Sequence, residues 1–424
     1  MPLARGRGDW YTSCIQVGAN GTMLSRRSLL TTPLVIPAAR ALGQTADEPV
    51  RIGVLADETG PFRDISGYGA RVAVELAVED AGGKVGRRPI EIVHADHQNK
   101  PDVGTAILRR WFDTQGVDVA TDLSISSVAI AAQGIAREKR KTLLITGGAS
   151  SDVTGKACTP FATQWSDDTY SLARGTGRAV VQVGGKSWFF LTVDYVFGHT
   201  MYADASRAVR EAGGTVLGNV THPINAADFS AYLLQAQASN AQIVGLANVG
   251  PDTSNAIKQA KEFGLAARGQ RLAGFLVFIT DVDAIGLDTA AGLLVTEGFY
   301  WDQNDAARAF AKRFMAKVGK MPSKEQAVGY TAVTHYLKAM AAVGTKDAEA
   351  VNRQMRAMTA DYFGKPATIR EDGRVLFDLT LFEVKSPAES RYPWDYYKVV
   401  RTIPQADAFR PTSEGGCYMY GKQG

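Results

Sequence analysis

The stretch from Val117 to Ser151 constrains the chain more than any other. Residues 117–120 and 143–145 are short apolar runs bounded by turn residues, the pattern of buried parallel strands. Between them Val128, Ala131, Ala132, Ile135 and Ala136 recur at helical spacing. Strand, helix and strand form a crossover unit, which puts both strand-end turns on the carboxyl edge of one sheet. Those turns read Leu-Ser-Ile-Ser-Ser and Thr-Gly-Gly-Ala-Ser-Ser. Each offers bare backbone N–H groups and hydroxyls, one set at a helix N-terminus, where an anionic group is favoured. No acid, base or metal ligand accompanies them, so they suit holding a group better than converting it.

The same alternation continues on both sides. Strands are expected at 50–56 and 89–95, with helices at 70–81 and 102–112. This βαβαβαβ order without a long linker signals a doubly wound parallel sheet in an α/β protein. The pattern breaks at 158–168 and restarts. Helices are expected at 169–183, 198–212, 229–238 and 253–263, with strands at 187–193, 216–221, 242–246 and 272–278. A chain of 424 residues can fill two such cores. From Gly292 the order changes: a strand near 293–300, helices at 306–318, 324–343 and 348–358, then strands at 373–385 and 396–401. Elements this late must join existing sheets, so the chain crosses between lobes more than once and forms a hinge.

The first 43 residues stand apart. They hold five of the 47 basic residues and one of the 43 acidic ones, so the rest of the chain is neutral, which gives no support for nucleic-acid binding. Ser25-Arg26-Arg27-Ser28-Leu29-Leu30 before a short apolar stretch resembles a twin-arginine export signal, with Ala39-Arg40-Ala41 as a cleavage candidate. Met23 is the expected true start. No later run reaches the ~18 apolar residues of a membrane span, so the exported chain is expected to carry no transmembrane segment. It keeps two cysteines, Cys158 and Cys417, and an oxidising compartment suggests one bridge between them.

Enzyme chemistry finds little footing. No Gly-x-Ser-x-Gly elbow is present, and no Gly-x-x-x-x-Gly-Lys phosphate loop completed by Ser or Thr. His94-Ala95-Asp96-His97 reads as a solvated loop with a structural Asp96, because further ligands at metal spacing are missing. No cofactor and no metal are expected, and the chain is not expected to be an enzyme.

The ordered set Val50-Arg-Ile-Gly-Val-Leu, Thr59-Gly-Pro61, Gly82-Gly83, Ser127 to Ser150, Asp194-Tyr195-x-Phe197-Gly198, Asp228-Phe229 and Gln259-Ala260-x-x-Phe263-Gly264 resembles periplasmic substrate-binding proteins of the branched-chain amino acid type. These serve ATP-binding cassette transporters, and the resemblance spans roughly residues 49–410. It implies the type I periplasmic binding fold: two doubly wound lobes joined by a three-segment hinge, with the ligand in the cleft. One lobe would comprise 49–165 and 299–375, the other 166–298 and 376–424. It also implies that Ser127, Gly148, Ala149 and Ser150 hold a ligand carboxylate, and that Phe197 and Asn248 approach from the second lobe. The partners implied are a small-molecule ligand and a membrane permease. Amino-acid binders of the family place an acidic residue near the position of Leu276, to hold the ammonium group. A buried ammonium without a carboxylate is costly. The expected ligand is therefore an aromatic or apolar acid, with a branched-chain amino acid or amide next. Its apolar end would meet Trp165, Tyr195, Phe197 and Phe62. A ligand-sensing receptor component is the alternative reading.

Overall fold

The computed structural model describes residues 48–420. The export-signal segment, with Met23 and the arginine pair, lies outside the described residues. Sixteen strands are found among those described. β1 (Val50–Ala56), β2 (Lys84–Val85), β3 (Arg88–Asp96), β4 (Val119–Asp122), β5 (Thr142–Ile145) and β6 (Ala162–Gln164) form a six-stranded sheet in the order β2-β3-β1-β4-β5-β6. All its pairings are parallel except β2 with β3. β7 (Ser187–Val193), β8 (Thr215–His222), β9 (Ile243–Ala247) and β10 (Arg271–Gly274) form a second, wholly parallel sheet in the order β10-β9-β7-β8.

The late strands do not extend either sheet. β11 (Leu294–Glu297) comes first, followed by β12 (Ala360–Tyr362), β13 (Lys365–Ile369) and β14 (Val375–Leu376), which form a small antiparallel sheet of their own. β15 (Leu379–Val384) and β16 (Tyr397–Ile403) then pair antiparallel beside β11. The late helix Lys324–Val343 starts with a capping box made by Ser323 and Gln326. It buries Ala327, Val328, Ala332, Tyr336 and Met340 in the core that covers one face of the first sheet.

Three differences from the sequence reading have simple causes. The expected strand at 272–278 stops at Gly274, and the chain turns into a helix at Ile279, whose start is held by the Asp281 carboxylate on the Phe278 N–H (3.0 Å). The break at 158–168 contains β6, too short at three residues to show periodicity. The expected helix over 169–183 is present with a π turn at Ala173–Gly177, where Gly175 leaves no room for a Cβ beside Thr296 (2.5 Å).

The chain passes between the sheets beside a dense buried charge cluster. Lys324 donates to Asp167 (2.7 Å), and Arg374 pairs with Asp168 (3.3 Å) and the Ser166 carbonyl. Cys158 and Cys417 are joined in a disulfide. Within the segment 376–424, Cys417 and Arg410 meet the stretch between β5 and β6. Arg410 donates to the Ser151 carbonyl (2.7 Å). Among the described residues, no helix is long and apolar enough to cross a membrane.

Candidate functional site

The ends of β4 and β5 build the polar half of a buried void between the two parallel sheets. Asp122 and Leu123 take left-handed φ values of 77° and 59°, a strain of about 1–3 kcal/mol each for non-glycine residues. The bend turns the chain so that Ser124 and Ser126 reach the void. Asp122 is over-determined: Ser66 and Thr146 hydrogen-bond its carboxyl, and its carbonyl accepts the N–H of Thr146 (3.1 Å) and Gly147 (3.2 Å). Burial, reinforced by the charge of Asp57, pushes its pKa up to about 7. At Gly147 a Cβ would stand 2.4 Å from Ser124 Cα and 2.9 Å from Glu325 Oε2. Glycine alone lets the two turns and the late helix meet.

Ser124 is oriented by a histidine. Burial depresses the His97 pKa to about 4, so the ring is neutral. Its Nδ1 accepts the Asn99 N–H (3.0 Å), which leaves the proton on Nε2 to donate to Ser124 Oγ (3.0 Å). The Ser124 hydroxyl proton is then free to donate elsewhere. The loop after β1 adds Phe62 and Ile65. It is folded over Asp57, which accepts the N–H groups of Gly60 and Phe62 (both 2.8 Å) and the Asn99 amide (2.8 Å).

The facing wall comes from the second sheet. Tyr195 and Phe197 stand after β7 at the start of the Val196–Glu211 helix, their rings 5.9 Å apart. Gly198 is required there, because a Cβ would lie 1.9 Å from the Val193 carbonyl. Val249 follows β9 and Leu276 follows β10; both are buried. Together these residues close around a void of about 10 Å³, room for one water molecule. A roomier groove of about 660 Å³ lies by the Lys324–Val343 helix and includes Asp80 and Arg313. These two are paired with each other (2.8 Å).

Of the residues expected at a ligand, Phe62, Ala149, Tyr195, Phe197 and Leu276 line the void. The others stand elsewhere. Ser127 is half-buried beside Ser126 and does not line the void. Gly148 turns toward Ala129, and its carbonyl accepts the Gln164 amide (2.7 Å). Ser150 caps the turn at Ser151–Thr154 and shares a hydrogen bond with Thr200 (3.0 Å). Asn248 spends both ends of its amide, on His222 (3.1 Å) and Thr253 (2.7 Å). Trp165 is buried against the edge of His335, its N–H on Thr163 (2.8 Å). Asp281 and Asp283 are also engaged, Asp283 with the Tyr396 hydroxyl (2.7 Å).

The residue that sequence reasoning missed is Glu325. It is 2% exposed and lines the void from the second residue of the Lys324–Val343 helix. Its Oε2 has no hydrogen-bond partner among the described residues. Burial first, then the charge of Asp122, raises its pKa well above the usual carboxylate range. A signal was present, a Lys-Glu pair at the start of an otherwise apolar helix, but helix starts favour acidic residues for other reasons. Among the described residues, no three His, Cys, Asp or Glu side chains converge as metal ligands.

Residues 49–390 match the family model described as periplasmic binding protein. The chain is similar to the crystal structure of a periplasmic binding protein from Burkholderia mallei, at 47% identity over 88% of this chain and 99% of that one, TM-score 0.86. It is similar to a branched chain amino acid ABC transporter periplasmic ligand-binding protein from Burkholderia xenovorans LB400, at 39% identity over 87% of this chain and 99% of that one, TM-score 0.79. It shares its fold with an ABC transporter solute binding protein from R. palustris in complex with benzoate, at 22% identity over 87% and 99%, TM-score 0.77.

Proposed function

Because the chain belongs to the periplasmic binding protein family, we propose that it is exported to the periplasm, captures a small carboxylate-bearing solute between its two sheets, and delivers it to the membrane permease of an ABC transporter by hinge closure. Export would use the twin-arginine segment from Met23, cleaved near Ala41. The moving bodies would be 49–165 with 299–375, and 166–298 with 376–424. The observation that carries the reading is the two-sided void. Hydroxyls and backbone N–H groups on one wall suit a carboxylate, and an aromatic and aliphatic wall suits its apolar body. Hydrogen bonds that span the cleft suit a closed state: Ser150 with Thr200, and Ser151 with Asp204 (2.8 Å). A ligand shifts such an equilibrium only by contacts it makes in the closed form alone.

The favoured ligand is an aromatic or apolar acid. Among the described residues, the second-sheet wall brings no charged side chain to the void, and Leu276 faces it where an ammonium partner is expected. Glu325 supports a second reading, in which its carboxylate accepts an ammonium and the ligand is a branched-chain amino acid. Thermal-shift screening of the mature chain against benzoate-like acids, apolar amino acids and amides tests both, since a ligand that binds the folded state raises the melting temperature. Stabilisation by benzoate-like acids without leucine or valine is the expected result. Tight calorimetric binding of leucine or valine, with none of benzoate, overturns the preference.

A further inference from the structure

Glu325 is a buried carboxyl group with an unpartnered oxygen aimed into a void whose other polar members are donors. Its Oε2 stands close to Gly147, on the turn beside the Ser126–Lys139 helix N-terminus. That terminus has no side-chain cap. Its free N–H groups and the positive end of its dipole favour an anion and disfavour a cation. An ammonium group placed against Glu325 would therefore sit beside a field of the wrong sign. An ionised Glu325 would itself oppose a ligand carboxylate at the same turn.

The groups facing Glu325 point the same way. Asp122 lies at the end of β4, Asp167 in the crossing after β6, and Asp281 in the helix after β10, and each opposes a second negative charge there. Tyr195 faces it across the void, and the neutral His97 lies behind Ser124. The cation on its own helix, Lys324, is committed to Asp167 (2.7 Å) and the Thr296 carbonyl (3.4 Å).

Resting on the carboxylate-capture reading, we propose that Glu325 works as a neutral carboxylic acid whose O–H donates to the ligand carboxylate, so that solute capture is coupled to a proton. The ligand oxygen accepts from Glu325 on one side and from Ser124, Ser126 and the helix N-terminus on the other. A hydrogen bond from a neutral acid to an ionised oxygen is among the stronger kinds. Ionisation of Glu325 in the empty protein removes this donor and adds repulsion, so affinity falls as pH rises. At its steepest the fall is about tenfold per pH unit. The coupling also discriminates, because a ligand without an anionic oxygen gains nothing from the donor.

Calorimetric titration of benzoate, which stays ionised between about pH 5.5 and about pH 8.5, tests this. The wild type is expected to lose affinity steadily with pH. Glu325→Gln keeps a donor that cannot ionise, so its affinity should stay within about threefold of the wild type at low pH and be flat above it. Glu325→Ala should be at least about tenfold weaker and flat. Asp122→Asn should keep the slope, which assigns it to Glu325. Near-ultraviolet circular dichroism shows that each variant is folded. A pH-independent wild type, affinity that rises with pH, Glu325→Gln as weak as Glu325→Ala, or a slope lost in Asp122→Asn overturns the proposal while benzoate capture stands. No heat with any carboxylate at any pH overturns carboxylate capture and this proposal together.

Discussion

The first-sheet wall of the void carries Ser124, Ser126, Gly147, Ala149 and Glu325, while the second-sheet wall carries Tyr195, Phe197, Val249 and Leu276. The first is fixed by hydrogen bonds: His97 to Ser124, Ser126 to the Ser150 N–H, and the Asp122 carbonyl to the turn. The second is fixed by packing, with Phe197 and Leu276 part of one apolar cluster that joins both sheets. A hydrogen-bonded wall specifies directions and tolerates little change. A packed wall specifies a volume and accepts substitutions that conserve it.

Substitutions should separate the two walls. Phe197→Ala removes a fully buried ring, and a loss of about 3–5 kcal/mol in unfolding free energy is expected by denaturant titration. Phe197→Leu should recover most of it. Gly147→Ala forces a Cβ against Ser124 and Glu325, so about 1–3 kcal/mol is lost and benzoate binding with it. That outcome, with Phe197→Leu still binding, would support the division of labour. Ser126→Ala removes one hydroxyl from the polar wall and should weaken benzoate by about 1 kcal/mol, roughly fivefold, by calorimetry. Ser127→Ala next to it should change neither binding nor stability by more than about 0.5 kcal/mol.

The buried carboxyl groups also predict how stability varies with pH. Burial raises Asp122 and Asp281 to about 7 and Glu297 to about 8, against about 4 for the same groups in an unfolded chain. Between those values the folded protein holds protons that the unfolded chain has released. Stability is therefore greatest at the acid end of this window and falls as pH rises toward 8. Melting curves should show this decline, and Asp122→Asn should reduce it. A melting temperature that rises over the same window would break the assignment of a proton-holding interior.

How far the site was legible in the sequence follows from which forces placed its residues. The parallel strands and their turns announced themselves through apolar runs and small residues, and Phe197 with its neighbouring glycine stood in a motif whose close approach to Val193 is local. The register within the turn was not legible. Ser124, Ser126 and Ser127 look alike in sequence, and the positive φ angles at Asp122 and Leu123 choose between them. The partners of Asn248 and Trp165 could not be read either, because His222 and His335 lie 26 and 170 residues away. Glu325 did not stand out for the same reason: Gly147, the turn residue it meets at the void, lies 178 residues earlier.

The disulfide has a topological consequence. Cys158 and Cys417 are 259 residues apart, so the whole second sheet and all the late strands lie within one covalent ring. A protease that cuts one exposed loop between 158 and 417 opens the ring without releasing a fragment. On a denaturing gel such a nicked molecule should migrate as one band without reductant and as two with it. In a compartment where proteases meet folded carriers, a single cut leaves the two pieces of the molecule attached to each other.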